Sequence, residues 1–385
     1  MTRVLILRGQ YANLWELKAW SRLPDRFDVA CVVSRKNVYP TEDIPLERVR
    51  VRTLRDFLPR GTAGDIVAAV VGDRYIGLEE ELAGAGIVHA SELSFWFAAE
   101  AARRKPDFGY KLVLTAWETI PFLDTYRTKH AREHRRLTLR ATDLFLAATE
   151  RARDALLVEG VEPERIQVCY PGIEIDRFRV AAPRTAEHHV ILSPGRLVWE
   201  KGHQDVMRAV AVIHRGIVAA SGSRPRLLVV GSGPEERRLR AYAQDLGIGQ
   251  YVEFQSVPYD AMPQVYAGAS AMVLGSLPSA GCSLYLGDLP RCFWEEQFGL
   301  VFAEAMAAGL PVITTTSGAI PEVVGDSADF FAPGDWMGLA RGLAAGPLSR
   351  PPGTRVQHPP DRLRLYSTEA LADRLTAAYD SLLMV

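Results

Sequence analysis

Two glutamates stand eight residues apart in the stretch WEEQFGLVFAEAMAAGLPVITT, Trp294 to Thr315. Glu304 falls inside an apolar run that begins at Phe298, where a carboxylate is costly unless something satisfies it. Glu296 falls at the mouth of the same run. A carboxylate can accept two hydroxyl hydrogen bonds at once, so the vicinal diols of a ribose or a hexose suit both positions. The run reads as a buried helix stopped by Gly309, and its start near Phe298-Gly299 offers unpaired backbone N–H groups and a positive dipole end. Upstream, ILSPGRLVWEKGHQD sets Arg196 and Lys201 five residues apart on a loop behind a short strand, a spacing that could clasp the two phosphates of a diphosphate. LLVVGSGPEERRLR runs another strand into Gly231-Ser232-Gly233. No third glycine follows, so the dinucleotide fingerprint of a nicotinamide dehydrogenase fails. Each feature has a plainer explanation: solvated surface cations, glycines that only make a turn, glutamates in ordinary ion pairs.

The elements that must carry these residues alternate between short apolar runs and longer amphipathic segments. In the first half, strands are expected at Val4–Leu7, Asp28–Val33, Ile66–Val71, Gly86–Val88, Lys111–Thr115 and Asp143–Ala147, with helices at Leu78–Ala85 and Ser91–Arg103. In the second half, strands are expected at His189–Leu192, Arg226–Val230, Tyr251–Phe254 and Ala271–Leu274, then at Val312–Thr315, with helices from about His203 and Glu235. This is the βαβ signature of parallel sheets covered by helices. A polar, turn-rich segment, Arg179–Glu187, suggests a border near residue 182. The organisation expected is therefore 1–182, 183–365 and a terminal helix at 366–385 that packs back on the first half.

Taken together the motifs are far more specific than any one of them. Glu296 to Glu304 resembles the E-x7-E motif of family-4 retaining glycosyltransferases, and Gly195-Arg196-Leu197 with Lys201-Gly202 is similar to their GRLxxxKG phosphate clamp. Ser317-Gly318-Ala319-Ile320-Pro321-Glu322, the run Tyr170 to Phe178 and Val229 to Pro234 also resemble family blocks, in family order. The resemblance implies two Rossmann-like, doubly wound α/β domains facing across a cleft, the GT-B architecture. It implies a metal-independent, retaining transfer of a sugar from a nucleotide-sugar donor (a UDP- or GDP-sugar as co-substrate, no other cofactor) to an acceptor hydroxyl, by a front-face departure. Arg196 and Lys201 would neutralise the leaving diphosphate, with Gly195, Gly231 and the N–H groups of Phe298, Gly299, Leu300 and Val301 around it. Glu304 would hold the ribose and Glu296 the donor sugar; on this expectation Glu304 is buried because its partners arrive with the ligand. No D-x-D occurs, so a metal bridging the diphosphate to paired aspartates has no support in the sequence.

The first half departs from the family pattern. Its loop after the first strand reads Arg8-Gly9-Gln10-Tyr11, with Gly9 alone where two glycines are usual, and Arg8 could face a phosphate or a charged acceptor. Where many members have a histidine, LVLTAWETIPF places Trp117 followed by Glu118. Tryptophan can stack on a sugar but cannot take a proton, and Glu118 could supply the polar function. His89 and Glu92 are further candidates, weighed against a structural role. The segment Leu277–Phe293 reads as an acceptor-contacting flap or an inert insertion.

Composition bounds the alternatives. With 48% hydrophobic residues, 24% charged residues and net charge −1, the 385-residue chain has no global basic excess for nucleic acid. The N-terminus lacks the apolar core of a signal peptide, and no run reaches ~18 apolar residues, so the expectation is a cytoplasmic protein that does not span the membrane. Cys31, Cys169, Cys282 and Cys292 have no metal-ligand spacing; reduced thiols are expected, with a Cys282–Cys292 disulfide as the alternative. The basic stretch Lys129–Arg140 is read as a solvated helix face or as an anion- or membrane-contacting one. The partners implied are a nucleotide-sugar and a carbohydrate, lipid-linked or small-molecule acceptor, in a monomer or homodimer. The competing functions are an epimerase or hydrolase acting on the sugar nucleotide itself, and a non-catalytic nucleotide-sugar-binding protein.

Overall fold

The computed structural model describes residues 1–58, 64, 67, 73–123, 129–179, 187–220, 224–280 and 292–384. It divides into two compact units, residues 1–172 with 367–385, and residues 173–366. The border expected at 182 and Cys282 lie outside the described residues, as does the strand expected at Ile66–Val71 apart from Val67, which is helical.

Unit 1 is built on eight strands: β1 (Thr2–Leu7), β2 (Phe27–Ser34), β3 (Glu47–Thr53), β4 (Tyr75–Ile76), β5 (Ile87–Ser91), β6 (Lys111–Ala116), β7 (Leu144–Ala147) and β8 (Ile166–Val168). Their order is β4-β3-β2-β1-β5-β6-β7-β8, parallel throughout except for the antiparallel edge pair β3–β4. The central strands are almost wholly buried, as parallel strands covered on both faces must be, and so they read as unbroken apolar runs. β3, with the sequence ERVRVRT, alternates charge and valine near the sheet edge and carries no such run. The helix expected at Ser91–Arg103 instead spans Trp96–Phe108. Glu92 explains the delay, because it holds a left-handed φ of 62° while accepting the Trp117 N–H and donating its own N–H to Thr115 O.

The terminal helix, Thr368–Leu383, belongs to this unit and brings Tyr379 into its core. Trp20 Nε1–H donates to Tyr379 Oη at 2.8 Å, Tyr379 Oη meets His89 Nδ1 at 2.6 Å, and His89 Nε2 meets Thr115 Oγ1 at 2.7 Å. His89 is fully buried, and burial, reinforced by the Arg8 charge, holds its pKa well below the usual histidine value. Every group in the chain is satisfied if Tyr379 O–H donates to a neutral imidazole that donates in turn to Thr115. His89 is therefore a structural hydrogen-bonder, the role weighed in the sequence against one in the site. Tyr379→Phe is expected to cost about 1–3 kcal/mol by stranding the Trp20 and His89 nitrogens, measured by urea denaturation. Because the unfolded histidine takes a proton that the folded one refuses, the chain loses stability as pH falls through about 6.5.

Unit 2 carries β9 (Val190–Pro194), β10 (Arg226–Val230), β11 (Val252–Gln255), β12 (Ala271–Leu274), the small antiparallel pair β13 (Ser279–Ala280) and β14 (Cys292–Trp294), β15 (Val312–Thr314) and β16 (Ala328–Phe330). The main sheet runs β11-β10-β9-β12-β15-β16, all parallel. Its order reverses on either side of β9, as that of unit 1 does on either side of β1. In doubly wound sheets ligands bind outside the carboxyl ends of the strands at such a reversal. That directs attention to the loops after β9 and β12 in unit 2, and after β1 and β5 in unit 1.

Candidate active site

In unit 2 the loop after β9 carries Gly195, Arg196 and Lys201, and the loop after β12 carries Ser276. The two loops touch, because Leu277 N–H donates to Glu200 O at 2.8 Å. A Cβ on Gly231, at the end of β10, would come within 1.9 Å of Gly195 O, so only glycine lets these turns close. Lys201 Nζ donates to both oxygens of Glu296, at 2.8 and 2.7 Å, and Ser276 Oγ donates to the same carboxylate at 2.7 Å. The Lys201 ammonium also lies 4.8 Å from the Trp294 ring centre. The pair is largely withdrawn from water, with side chains 12% and 6% exposed. Arg196 stays exposed and makes no side-chain contact of this kind among the described residues.

Glu296 is held from behind. Gly318 adopts φ +57°, and a Cβ there would sit 2.2 Å from Glu296 O; Ala319 N–H donates to that same oxygen at 2.8 Å. Gly318→Ala is expected to push the Glu296 backbone aside and weaken the binding of nucleoside diphosphates about tenfold, read by calorimetry. Gly299 follows with φ +76°, and the helix Leu300–Ala307 begins after it. The first N–H groups of that helix have no acceptor within it and point at its N-terminal end. The Phe298 side chain is buried edge-on against Tyr366, ring centres 5.1 Å apart, and anchors the turn.

Glu304 is 3% exposed and sits on the second turn of the helix. The expectation that only a ligand could satisfy it needs correction. Tyr266 O–H donates to Glu304 Oε2 at 2.8 Å, and Tyr259 makes a second side-chain hydrogen bond to the carboxyl group. Burial pushes the Glu304 carboxyl up to about 7, opposed by the two hydroxyls and by the Arg177 charge. Two donors leave lone-pair capacity on a carboxylate, so further hydroxyls remain acceptable to it. Tyr259 is positioned by Arg177, which lies over its ring and pairs with Asp260. The two tyrosines, Ser276 and Trp294 were not singled out in the sequence. Ser276 is the second residue past β12 at the reversal, a position that could have marked it.

In unit 1, Gly9 N–H donates to Tyr75 Oη at 2.9 Å, with φ +58°. Trp117 is half-buried, its N–H latched to Glu92 Oε1 at 3.1 Å. Glu118 Oε1 accepts the N–H groups of Thr119 and Ile120, both at 3.0 Å, and so shapes the turn after β6. Cys31 and Cys169 are buried free thiols, and burial raises their pKa values to about 12 and about 11. Residues 281–291 of the Leu277–Phe293 segment lie outside the described residues.

The chain matches two family models, "Glycosyltransferase Family 4" over residues 17–177 and "Glycosyl transferases group 1" over 174–345. It is 32% identical over 164 residues to a GDP-mannose-dependent alpha-(1-6)-phosphatidylinositol monomannoside mannosyltransferase of Mycobacterium tuberculosis, covering 40% of this chain and 39% of that protein. It is 28% identical over 269 residues to a D-inositol 3-phosphate glycosyltransferase of Corynebacterium jeikeium, covering 62% of this chain and 58% of that one. Both alignments span less than two thirds of the relatives' own length. Among solved structures, Anabaena HepE in complex with UDP and glucose superposes with TM-score 0.72 at 18% identity, covering 99% of this chain and 100% of that one. The sucrose-phosphate synthase of Thermosynechococcus elongatus gives 0.72 at 18% identity, with both chains covered completely, at 100% each. The fold is thus the two-domain parallel α/β fold of GT-B glycosyltransferases.

Proposed function

The chain belongs to the glycosyltransferases, family 4 in its first half and group 1 in its second, and from that premise we propose that it moves a sugar from a nucleotide-sugar to an acceptor hydroxyl, with retention and without a metal. The observation that carries this reading is the Lys201–Glu296–Ser276 cluster at the carboxyl ends of β9 and β12, beside the N-terminal end of the helix Leu300–Ala307. Lys201, exposed Arg196 and the N–H groups of Gly299, Leu300 and Val301 neutralise the leaving diphosphate in a partly desolvated site, where fixed charges act most strongly. Glu296 takes the donor sugar's hydroxyls and Glu304 the ribose. Gly9, Trp117 and Glu118, at the ends of β1 and β6 in unit 1, serve the acceptor and the sugar face.

Calorimetry with UDP and GDP tests the donor half, and mass spectrometry of products from UDP- and GDP-sugars tests transfer. The names of the relatives make GDP-mannose, phosphorylated inositols and inositol lipids the first substrates to offer. Indifference of the wild type to every nucleoside diphosphate would overturn the reading.

Peripheral contact with an anionic membrane is part of the proposal. No helix among the described residues is long and apolar enough to cross one. Lys129, Arg132, Arg136 and Arg140 are exposed at helical spacing on Lys129–Ala141, beside a groove of about 820 Å³. None has a carboxylate partner among the described residues. Binding to vesicles with anionic lipid, lost on raising the salt concentration, is the expected result.

A further inference from the structure

Arg8 closes β1, the strand at which the unit 1 sheet reverses, and it is 4% exposed. Among the described residues its guanidinium makes no hydrogen bond. Nε is sealed from water without an acceptor, and the one carboxylate it pairs with there, Glu16, stands 3.9 Å from Nη2, outside hydrogen-bond reach. The Trp20 ring centre lies 5.9 Å away, and burial keeps His89, Cys31 and Tyr379 in their neutral forms. In the loop beside it Gly9 N–H donates to Tyr75 Oη and Tyr11 N–H to Arg8 O.

A buried cation whose ion-pair partner stands outside hydrogen-bond reach is poorly compensated, and at a ligand-binding position a counter-charge that comes with the ligand completes it. The guanidinium fork fits the two oxygens of a phosphate or a carboxylate. We propose that Arg8 binds an oxyanion carried by the acceptor, so that this chain glycosylates an anionic molecule. The role of acceptor rests on the transferase reading; the oxyanion site does not.

An oxyanion could reach Arg8 from the acceptor or from the donor diphosphate, and two measurements separate them. Inorganic phosphate is titrated into the full chain saturated with UDP or GDP, using thermal shift, for the wild type, Arg8→Met and Arg8→Lys. The expected result is a phosphate-dependent rise in Tm of the wild type that is lost in Arg8→Met and needs about tenfold more phosphate in Arg8→Lys. Without phosphate, Arg8→Met should melt at or above the wild-type temperature, since it removes a buried charge that only the loose Glu16 pair offsets; Arg8→Lys keeps the test valid if the methionine variant does not fold. Affinity for the nucleoside diphosphate should stay within twofold in both variants. An undiminished phosphate response in Arg8→Lys and Arg8→Met overturns the proposal, and a tenfold loss of nucleotide affinity assigns Arg8 to the donor instead. Should the wild type bind no nucleotide, the transferase reading fails, and the same phosphate comparison, run without nucleotide, still decides the oxyanion site.

Discussion

Lys201→Met is expected to lower the rate of sugar transfer by about 10²–10³ and to destabilise the chain by about 3 kcal/mol. The two losses have different causes. On the proposed reading the rate falls because the ammonium neutralises the departing diphosphate, and one preorganised donor is worth that factor where water is largely excluded. The stability falls because Glu296 is left as a buried carboxylate with Ser276 as its remaining side-chain donor. Adding Glu296→Gln removes the stranded charge, so the double variant should regain most of the stability and none of the activity. Urea denaturation and a product assay on the two single variants and the double variant measure both. A double variant that recovers activity, or a Lys201→Met enzyme of normal rate, would falsify the role given to Lys201.

Glu304→Ala is expected to weaken nucleoside diphosphate binding about 30-fold, the loss of about 2 kcal/mol when hydroxyl-to-carboxylate hydrogen bonds disappear. Larger losses are not expected, because the carboxylate already shares its lone pairs with Tyr266 and Tyr259. Glu304→Gln adds a pH signature. With the folded carboxyl raised to about 7 and the unfolded one near ~4.3, the folded chain holds a proton that the unfolded chain has lost between those values. Stability therefore falls as pH rises through that window, by at most about 1.4 kcal/mol per unit. The glutamine variant should lose this slope. Nucleotide affinity of the wild type should rise as pH passes through about 7, where the acceptor-only carboxylate forms. Equal affinities for wild type and Glu304→Ala, or identical pH slopes for wild type and Glu304→Gln, would remove Glu304 from the site.

Much of this was legible in the residues. Arg226–Val230 and Ala271–Leu274 are strands at the bounds expected, because strands buried on both faces need unbroken apolar runs and little else supplies them. Arg196, Lys201 and the two glutamates stood out in the sequence for the opposite reason: charged groups beside glycines, or inside apolar helices, violate local preference and call for an explanation. β3 was not legible, since ERVRVRT meets solvent along one side and alternates as surface segments do. The late start of Trp96–Phe108 was also hidden, because Glu92 latches onto Trp117, twenty-five residues away.

By itself the sequence determined two successive βαβ halves, the absence of a dinucleotide fingerprint, and a loop and a helix mouth bearing opposite charges; hydrophobic period, glycine placement and charge are local properties. Which charges meet was decided only by the tertiary structure. Lys201 and Glu296 pair across 95 positions, Tyr266 reaches Glu304 across 38, and His89 is absorbed by a tyrosine 290 residues away. Strand order sets these distances, and no local pattern encodes it. The same reversal of strand order leaves Arg8 buried just past β1, with Glu16 beyond hydrogen-bond reach.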